Sequence, residues 1–195
     1  MFTGIITASQ PIQAIAEKDG NKTFSIQKPA DWKLETGESI SIDGVCTTVI
    51  SVEDDIFKIE CMPETLRLTT LNKKEPGDKL NLERSVRADE LLSGHLVYGH
   101  VDAVGTITEI TEDGDSHIIT IKHDEKFAKY IIQKGSVSLN GISLTVINPT
   151  DDTFSVSIVT YTWEETNLNA AVVGDSVNLE YDVIAKYLEK LHHHE

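Results

Sequence analysis

The chain says the same thing twice. "DGVCTTV", from Asp43 to Val49, returns 97 positions later as "NGISLTV", from Asn140 to Val146. At the same shift Gly44, Thr48, Val49 and Ile50 meet Gly141, Thr145, Val146 and Ile147, and Phe57 meets Phe154. Thr65, Thr69, Leu71 and Asn72 meet Thr162, Thr166, Leu168 and Asn169. Gly77-Asp78 and Asn81-Leu82-Glu83 meet Gly174-Asp175 and Asn178-Leu179-Glu180. The start of each copy matches at a shift of 95, "GIITASQPIQAI" from Gly4 on "GHVDAVGTITEI" from Gly99, so the copies differ slightly in loop length. A repeat of this extent dictates that one fold is used twice. The chain divides into homologous units at 1–87 and 96–182, a short polar joint at 88–95, and a segment, 183–195, outside both.

Each unit reads as mainly β. "SISIDGVCTTVISV" and "SVSLNGISLTVINP" alternate around a Gly-containing turn, as hairpin strands do. "DIFKIEC" and "TFSVSIV" are short alternating strands, and "KLNLERS" and "SVNLEYD" close each copy. Many short strands with closely spaced turn signals predict a small antiparallel barrel per unit. One helix is expected between strands, at "DEKFAKYIIQ" in the second copy, where Phe127, Tyr130 and Ile131 have helical spacing. "DVIAKYLEKL" places Ile184, Tyr187, Leu188 and Leu191 on one helical stripe, with Lys186, Glu189 and Lys190 off it. That stripe can pack back on its own barrels or against another subunit.

Composition narrows the function. A formal net charge of −15 repels phosphate backbones and argues against a nucleic-acid partner. No run of about 18 apolar residues is present to span a membrane. "MFTGIITASQ" lacks the parts of a secretory signal, so a cytoplasmic protein is expected. The two cysteines, Cys46 and Cys61, make neither a disulfide framework nor a Cys-x-x-Cys metal motif. His192, His193 and His194 could bind a metal but read rather as a solvated tail. A Gly-x-Gly-x-x-Gly loop, a Gly-x-Ser-x-Gly elbow and zincin histidine spacing are all missing. The available chemistry is thiol, hydroxyl and imidazole, with no metal and no cofactor.

The two copies also serve as an internal comparison. Cys61 faces Ile158, which makes it a small core hydrophobe. Cys46 faces Ser143, which fits either a reachable polar position at a turn or a buried filler. His100 faces Ile5 and is suited to proton transfer, or is a surface residue at a strand start. His95 lies in the joint and carries no expectation.

"MFTGII", "DGVCTTV", "PETLRLTTL", "GDKLNLERS", "GHLVYGHVDAVG", "KGSVSLNGISLTV" and "DVIAKYLEKL", in this order, resemble the riboflavin synthase family over essentially the whole chain. The resemblance implies an all-β fold, two tandem six-stranded antiparallel barrels plus a C-terminal α-helix, assembled as a homotrimer through that helix. It implies a transferase that dismutates 6,7-dimethyl-8-ribityllumazine. Two molecules exchange a four-carbon unit, giving riboflavin and 5-amino-6-(ribitylamino)uracil. Flavin is the product, so no cofactor is implied. One ligand bound twice accounts for one motif written twice.

Carried over by resemblance, an N-barrel pocket uses Gly4, Ile5 and Ile6, then Cys46, Thr47 and Thr48, then Glu60, Cys61, Met62, Pro63, Glu64 and Thr65. A C-barrel pocket uses Gly99, His100 and Val101, then Lys134, Ser143, Leu144 and Thr145, then Ser157, Ile158, Val159, Thr160, Tyr161 and Thr162. Cys46, Ser39, His100 and Ser143 are the polar groups placed nearest the chemistry. One lumazine must lose a proton from its C7 methyl. The other must accept a nucleophile at C7, either water or a side-chain oxygen or sulfur. Two departures from the family pattern stand out: Thr47 where Leu is expected, and "TYTWEETNL", which puts Tyr161 and Trp163 in the wall of the second pocket. The alternative reading is a lumazine protein, a non-catalytic flavin or lumazine carrier of the same fold.

Overall fold

The computed structural model describes residues 1–192. His193 and His194, the greater part of the expected solvated tail, lie outside them. The first unit contains β1 (Ala8–Lys18), β2 (Asn21–Gln27), β3 (Ser39–Ile42), β4 (Val45–Glu53), β5 (Ile56–Cys61), a short α1 (Pro63–Leu68) and β6 (Lys79–Arg84). The second contains β7 (Ala103–Asp113), β8 (Ser116–Lys122), β9 (Ser136–Leu139), β10 (Ile142–Ile147), β11 (Thr153–Val159), α2 (Thr160–Glu165) and β12 (Ser176–Tyr181). The chain continues into α3 (Val183–His192). Each unit is a closed six-stranded barrel, ordered β1-β2-β5-β4-β3-β6 and β7-β8-β11-β10-β9-β12, with antiparallel neighbours.

The turns follow from the residues at their tips. Asp43-Gly44 and Asn140-Gly141 both have positive φ at two successive residues (46° and 77°, 47° and 82°), the backbone of a two-residue hairpin whose twist matches its strands. Asp19-Gly20 repeats the device between β1 and β2. Register shifts between Ile12 and Ala14, between Val49 and Ser51, and between Ile107 and Glu109 bend the long strands so that small barrels can close.

Period-two alternation sends one face of each strand inward. Phe24, Ile26, Ile40, Phe57, Ile59, Leu80 and Leu82 fill the first barrel, and Ile119, Ile121, Val137, Leu139, Phe154, Val156 and Leu179 fill the second, all fully buried. Each such side chain stabilises the fold by about 1.5–3 kcal/mol. Phe57→Ala or Phe154→Ala would cost about 3–5 kcal/mol.

The helices differ from expectation. "DEKFAKYIIQ" forms a 3₁₀ helix, Glu125–Tyr130, rather than an α-helix. Asp124 caps it through the Lys126 amide, and it stops where Ile131 turns extended and enters the core. The true α-turns, α1 and α2, follow β5 and β11. They are six residues long, too short for a periodic signal. α3 is an α-helix, and Ile184, Tyr187, Leu188 and Leu191 are 56–67% exposed along it. Its polar flank is tied down by Lys186 to Asp102 at 2.7 Å and by Glu189 to Lys129.

The connector between the barrels is more than a polar joint. Phe2 and Val97, both fully buried, exchange backbone hydrogen bonds of 2.7 and 3.1 Å, so residues flanking the joint pair with the N-terminal segment. His95 donates its amide to the Thr3 carbonyl at 3.1 Å.

Candidate functional site

The segment preceding each barrel does not stay with that barrel. Residues 3–6 run along β10, where Ser143 N donates to the Gly4 carbonyl at 2.8 Å and Ile6 packs on the second core. Residues 98–101 run along β4, where Cys46 N donates to the Gly99 carbonyl at 2.8 Å and Val101 packs on the first core. Two buried carboxylates hold the exchange in place. Glu83, in β6, accepts from Thr3 N, Thr3 Oγ1 and Gly4 N at 2.6, 2.7 and 3.0 Å. Its repeat partner Glu180, in β12, accepts from Tyr98 N, Gly99 N and His100 N at 2.7, 2.8 and 3.0 Å. Burial raises both carboxyls above their ordinary range, and the amide donors pull against that shift.

Glycine is required at both crossings. Gly4 and Gly99 have φ of +78° and +75°. A Cβ on Gly4 would lie 2.6 Å from Ser143 Cβ, and one on Gly99 would lie 2.6 Å from Cys46 Cβ.

The exchange regroups the residues carried over by resemblance. Gly4, Ile5 and Ile6 were expected with Cys46, but they lie with Ser143. Gly99, His100 and Val101 were expected with Ser143, but they lie with Cys46. Each strand edge is thus completed by the start of the other unit.

At the first edge the Cys46 thiol is half-buried, with the Ser39 side chain as its polar neighbour. Burial pushes the thiol pKa up, and the N-terminal ammonium and, less, Ser39 only partly offset it. His100 is exposed beside Tyr98, ring centroids 5.9 Å apart. Thr47 is buried and spends its hydroxyl on the Ile40 carbonyl at 3.1 Å, so it fills the expected Leu position without an unpaired polar group. Thr48, Glu60, Met62, Pro63 and Glu64 are exposed, and Thr65 is half-buried. Cys61 is 2% exposed in the core, its pKa raised to about 12 by burial, so its side chain belongs to packing and not to a ligand.

At the second edge Ser143 Oγ lies 2.7 Å from His95 Nδ1. His95 is 9% exposed, burial lowers its pKa, and its Nε2 is enclosed without a hydrogen-bond partner among the described residues. Sequence reasoning missed this residue. His95 lies outside both repeats and has no counterpart to compare, and Ser143 is 48 positions away. The one available signal was Gly94, where a Cβ would lie 2.1 Å from the Thr3 carbonyl oxygen. Thr145, Lys134, Ser157, Val159, Thr160 and Tyr161 are exposed and Thr162 is half-buried, whereas Leu144 and Ile158 are core.

The two edges therefore carry unequal polar pairs, thiol with hydroxyl at one and hydroxyl with imidazole at the other. Among the described residues no group of three or more His, Cys, Asp and Glu is arranged to hold a metal ion. A cavity of about 610 Å³ opens between the barrels, lined by Lys73, Lys74, Asp78, Asn167 and Asp175, but neither Cys46 nor Ser143 reaches it.

A family model described as the lumazine binding domain matches the chain twice, at 3–85 and 98–182. Riboflavin synthase of Mycobacterium tuberculosis is 42% identical over 98% of this chain and 98% of that protein. Riboflavin synthase of Actinobacillus pleuropneumoniae is 39% identical over 97% of this chain and 89% of its own length. This chain belongs to the riboflavin synthase family. Among solved structures it resembles LumP complexed with riboflavin, with a TM-score of 0.87 and 26% identity over 93% of this chain and 99% of that one. LumP complexed with 6,7-dimethyl-8-(1'-D-ribityl) lumazine gives a TM-score of 0.84 at 26% identity, covering 92% of this chain and 98% of that one. The family's matched segments coincide with the two barrels, so membership covers both strand edges.

Proposed function

We propose that the chain catalyses the dismutation of two 6,7-dimethyl-8-ribityllumazine molecules to riboflavin and 5-amino-6-(ribitylamino)uracil, the last step of riboflavin biosynthesis. The observation that carries this reading is the pair of homologous strand edges with unequal polar groups, Cys46–Ser39 and Ser143–His95. One substrate can occupy both, and the inequality separates donor from acceptor. Backbone groups of the strand edges beyond the Gly4 and Gly99 crossings can hydrogen-bond the pyrimidine ring, and threonine and glutamate side chains can hold the ribityl hydroxyls.

His95 is neutral near pH 7, because burial disfavours its cation. A neutral imidazole bonded to Ser143 can take a proton through that hydroxyl, which suits loss of a proton from the C7 methyl. Cys46 stays a thiol at neutral pH. It acts as a hydrogen-bonding group, with Ser39 and His100, around the C7 that accepts a nucleophile. Holding the two rings face to face supplies much of the rate. The productive site lies between the first barrel of one subunit and the second barrel of a neighbour in a homotrimer, with the exposed stripe of α3 as the contact. The enzyme works in the cytoplasm with no cofactor. No helix among the described residues is long and apolar enough to cross a membrane.

The likeness to LumP favours a second reading, a non-catalytic lumazine or flavin carrier. Incubation with the lumazine alone separates the two. The enzyme yields one riboflavin per two lumazines consumed, followed by flavin absorbance. A carrier yields bound lumazine and no flavin.

A further inference from the structure

The second barrel closes the wall of its pocket differently from the first. In the first barrel α1 is anchored by Leu66, 6% exposed in the core. The repeat counterpart of Leu66 is Trp163, and α2 has no buried side chain at all. Trp163 instead lies flat on His117, ring centroids 3.8 Å apart and planes 3° from parallel. His117 pairs across β8 and β11 with the inward-facing Ile158, so it stands at the end of the barrel interior. In the first barrel Lys22 has this register, paired with Cys61, and it leaves the barrel to reach the Asn72 carbonyl at 2.7 Å. One barrel therefore uses an aliphatic plug and a departing lysine, and the other uses a stacked imidazole and indole.

The stack accepts a cost that a core plug would avoid, since His117 Nδ1 is enclosed without a hydrogen-bond partner among the described residues. Besides the stack, α2 is held by the packing of Trp163 on the second core, by Thr166 Oγ1 donating to the Thr162 carbonyl at 2.7 Å, and by Thr160 Oγ1 donating to the Asp115 carbonyl at the helix start. Thr160, Tyr161 and Thr162 are on the turn that the stack pins, and Trp163 follows them directly.

We propose that His117 and Trp163 form an aromatic clasp that positions the Thr160–Thr162 wall against the ligand of the second barrel, and so sets that barrel's affinity independently of the first. His117 is a positioning residue: it acts through Trp163 and touches no reacting atom. The inference rests on the second barrel being a lumazine or flavin pocket, as the preceding reading holds.

The test uses the full chain carrying Trp32→Phe, which leaves Trp163 as the sole tryptophan, with riboflavin as the probe. Trp163 emission reports the second barrel, and flavin emission reports all bound flavin. His117→Ala is expected to weaken the Trp163-reported transition between about twofold and tenfold, the worth of one aromatic pair. The remaining flavin transition should stay unchanged, and His117→Phe, which keeps a flat ring, should restore the loss. A cooperative melt checks that each variant is folded. If His117→Ala does not fold, Trp163→Ala read by flavin emission decides, with one transition weakened and the other kept. Unchanged affinity in the folded variant, equal weakening of both transitions, or failure of the phenylalanine to restore binding overturns the clasp. A parent chain that binds no riboflavin defeats the functional reading and the clasp with it. A parent that binds while His117→Ala binds alike defeats the clasp alone.

Discussion

Gly44 and Gly141 meet backbone to backbone. A Cβ on Gly44 would lie 2.6 Å from the Gly141 nitrogen, and one on Gly141 would lie 2.8 Å from the Gly44 nitrogen. The hairpin tips of the two repeated motifs are thus each other's partners across the barrel interface. Their neighbours reciprocate: Asn81 Nδ2 donates to the Asn140 carbonyl at 3.1 Å, and Asn178 Nδ2 donates to the Asp43 carbonyl at 2.8 Å. One asymmetry is balanced locally. Asp43, fully buried, is neutralised by Lys74 at 2.9 Å, where the second copy has uncharged Asn140 and Ala171.

Gly44→Ala is expected to destabilise the chain by about 3 kcal/mol or more, because the methyl meets backbone and φ is +77°. Gly114→Ala is the control. Its φ is +58° with open space around it, so it should cost only about 1–2 kcal/mol. Urea unfolding of both variants checks this, and equal losses would mean that the two tips do not bear on each other.

Burial depresses the His95 pKa below its ordinary 6.5. The unfolded chain therefore binds this proton first as pH falls. The contribution of His95 to stability is complete above about pH 6.5 and is lost as pH drops through the lower folded value. His123, also depressed by burial, acts with the same sign. Glu83 and Glu180, raised by burial, act oppositely: their contribution is present at low pH and is lost as pH rises through their folded values. The difference between wild type and His95→Gln in melts from pH 8 to pH 5 isolates one group. It should shrink as pH falls from about 6.5 towards the lower folded value, where the unfolded but not the folded His95 takes up the proton, and should level off below that value. A His95 NMR titration midpoint at or above 6.5 would contradict the assignment.

Cys46→Ser should impair turnover far more than Cys61→Ser. Cys46 is half-buried at the first strand edge, whereas Cys61 is core with its thiol pushed up to about 12. Cys61→Ser should instead lower stability by about 1–3 kcal/mol, since it buries a hydroxyl. Iodoacetamide at pH 8 should label Cys46 and spare Cys61 in the folded chain, read by peptide mass. Equal kinetic losses at unchanged stability in the two variants would refute the distinction.

Truncation after Asp182 removes α3 with its exposed Ile184, Tyr187, Leu188 and Leu191, and the Lys186 and Glu189 ties to Asp102 and Lys129. If the proposed trimer forms through α3 and its site spans subunits, assembly and turnover should be lost together while riboflavin binding persists, because both strand edges lie before α3. Light-scattering mass, flavin titration and turnover on one sample decide. A truncated monomer with full activity would exclude an inter-subunit site.

Sequence alone determined the tandem organisation, the barrels and the family. These rest on local signals: Asp-Gly and Asn-Gly tips that turn a hairpin, strands that alternate every second residue, and a second copy against which each position can be compared. The same comparison separated Cys61, a core residue, from Cys46. Tertiary structure decided what local pattern does not encode. The six-residue helices α1 and α2 are shorter than any helical period can reveal. The partnership of His95 with Ser143, and the exchange that puts Gly4 with Ser143 and Gly99 with Cys46, depend on contacts closed across the whole chain. Glu83 reaches back 80 positions to Thr3, and Glu180 reaches back 80 positions to His100. A buried carboxylate binds whichever amides the folded barrels bring to it, and no spacing in the sequence states which those are.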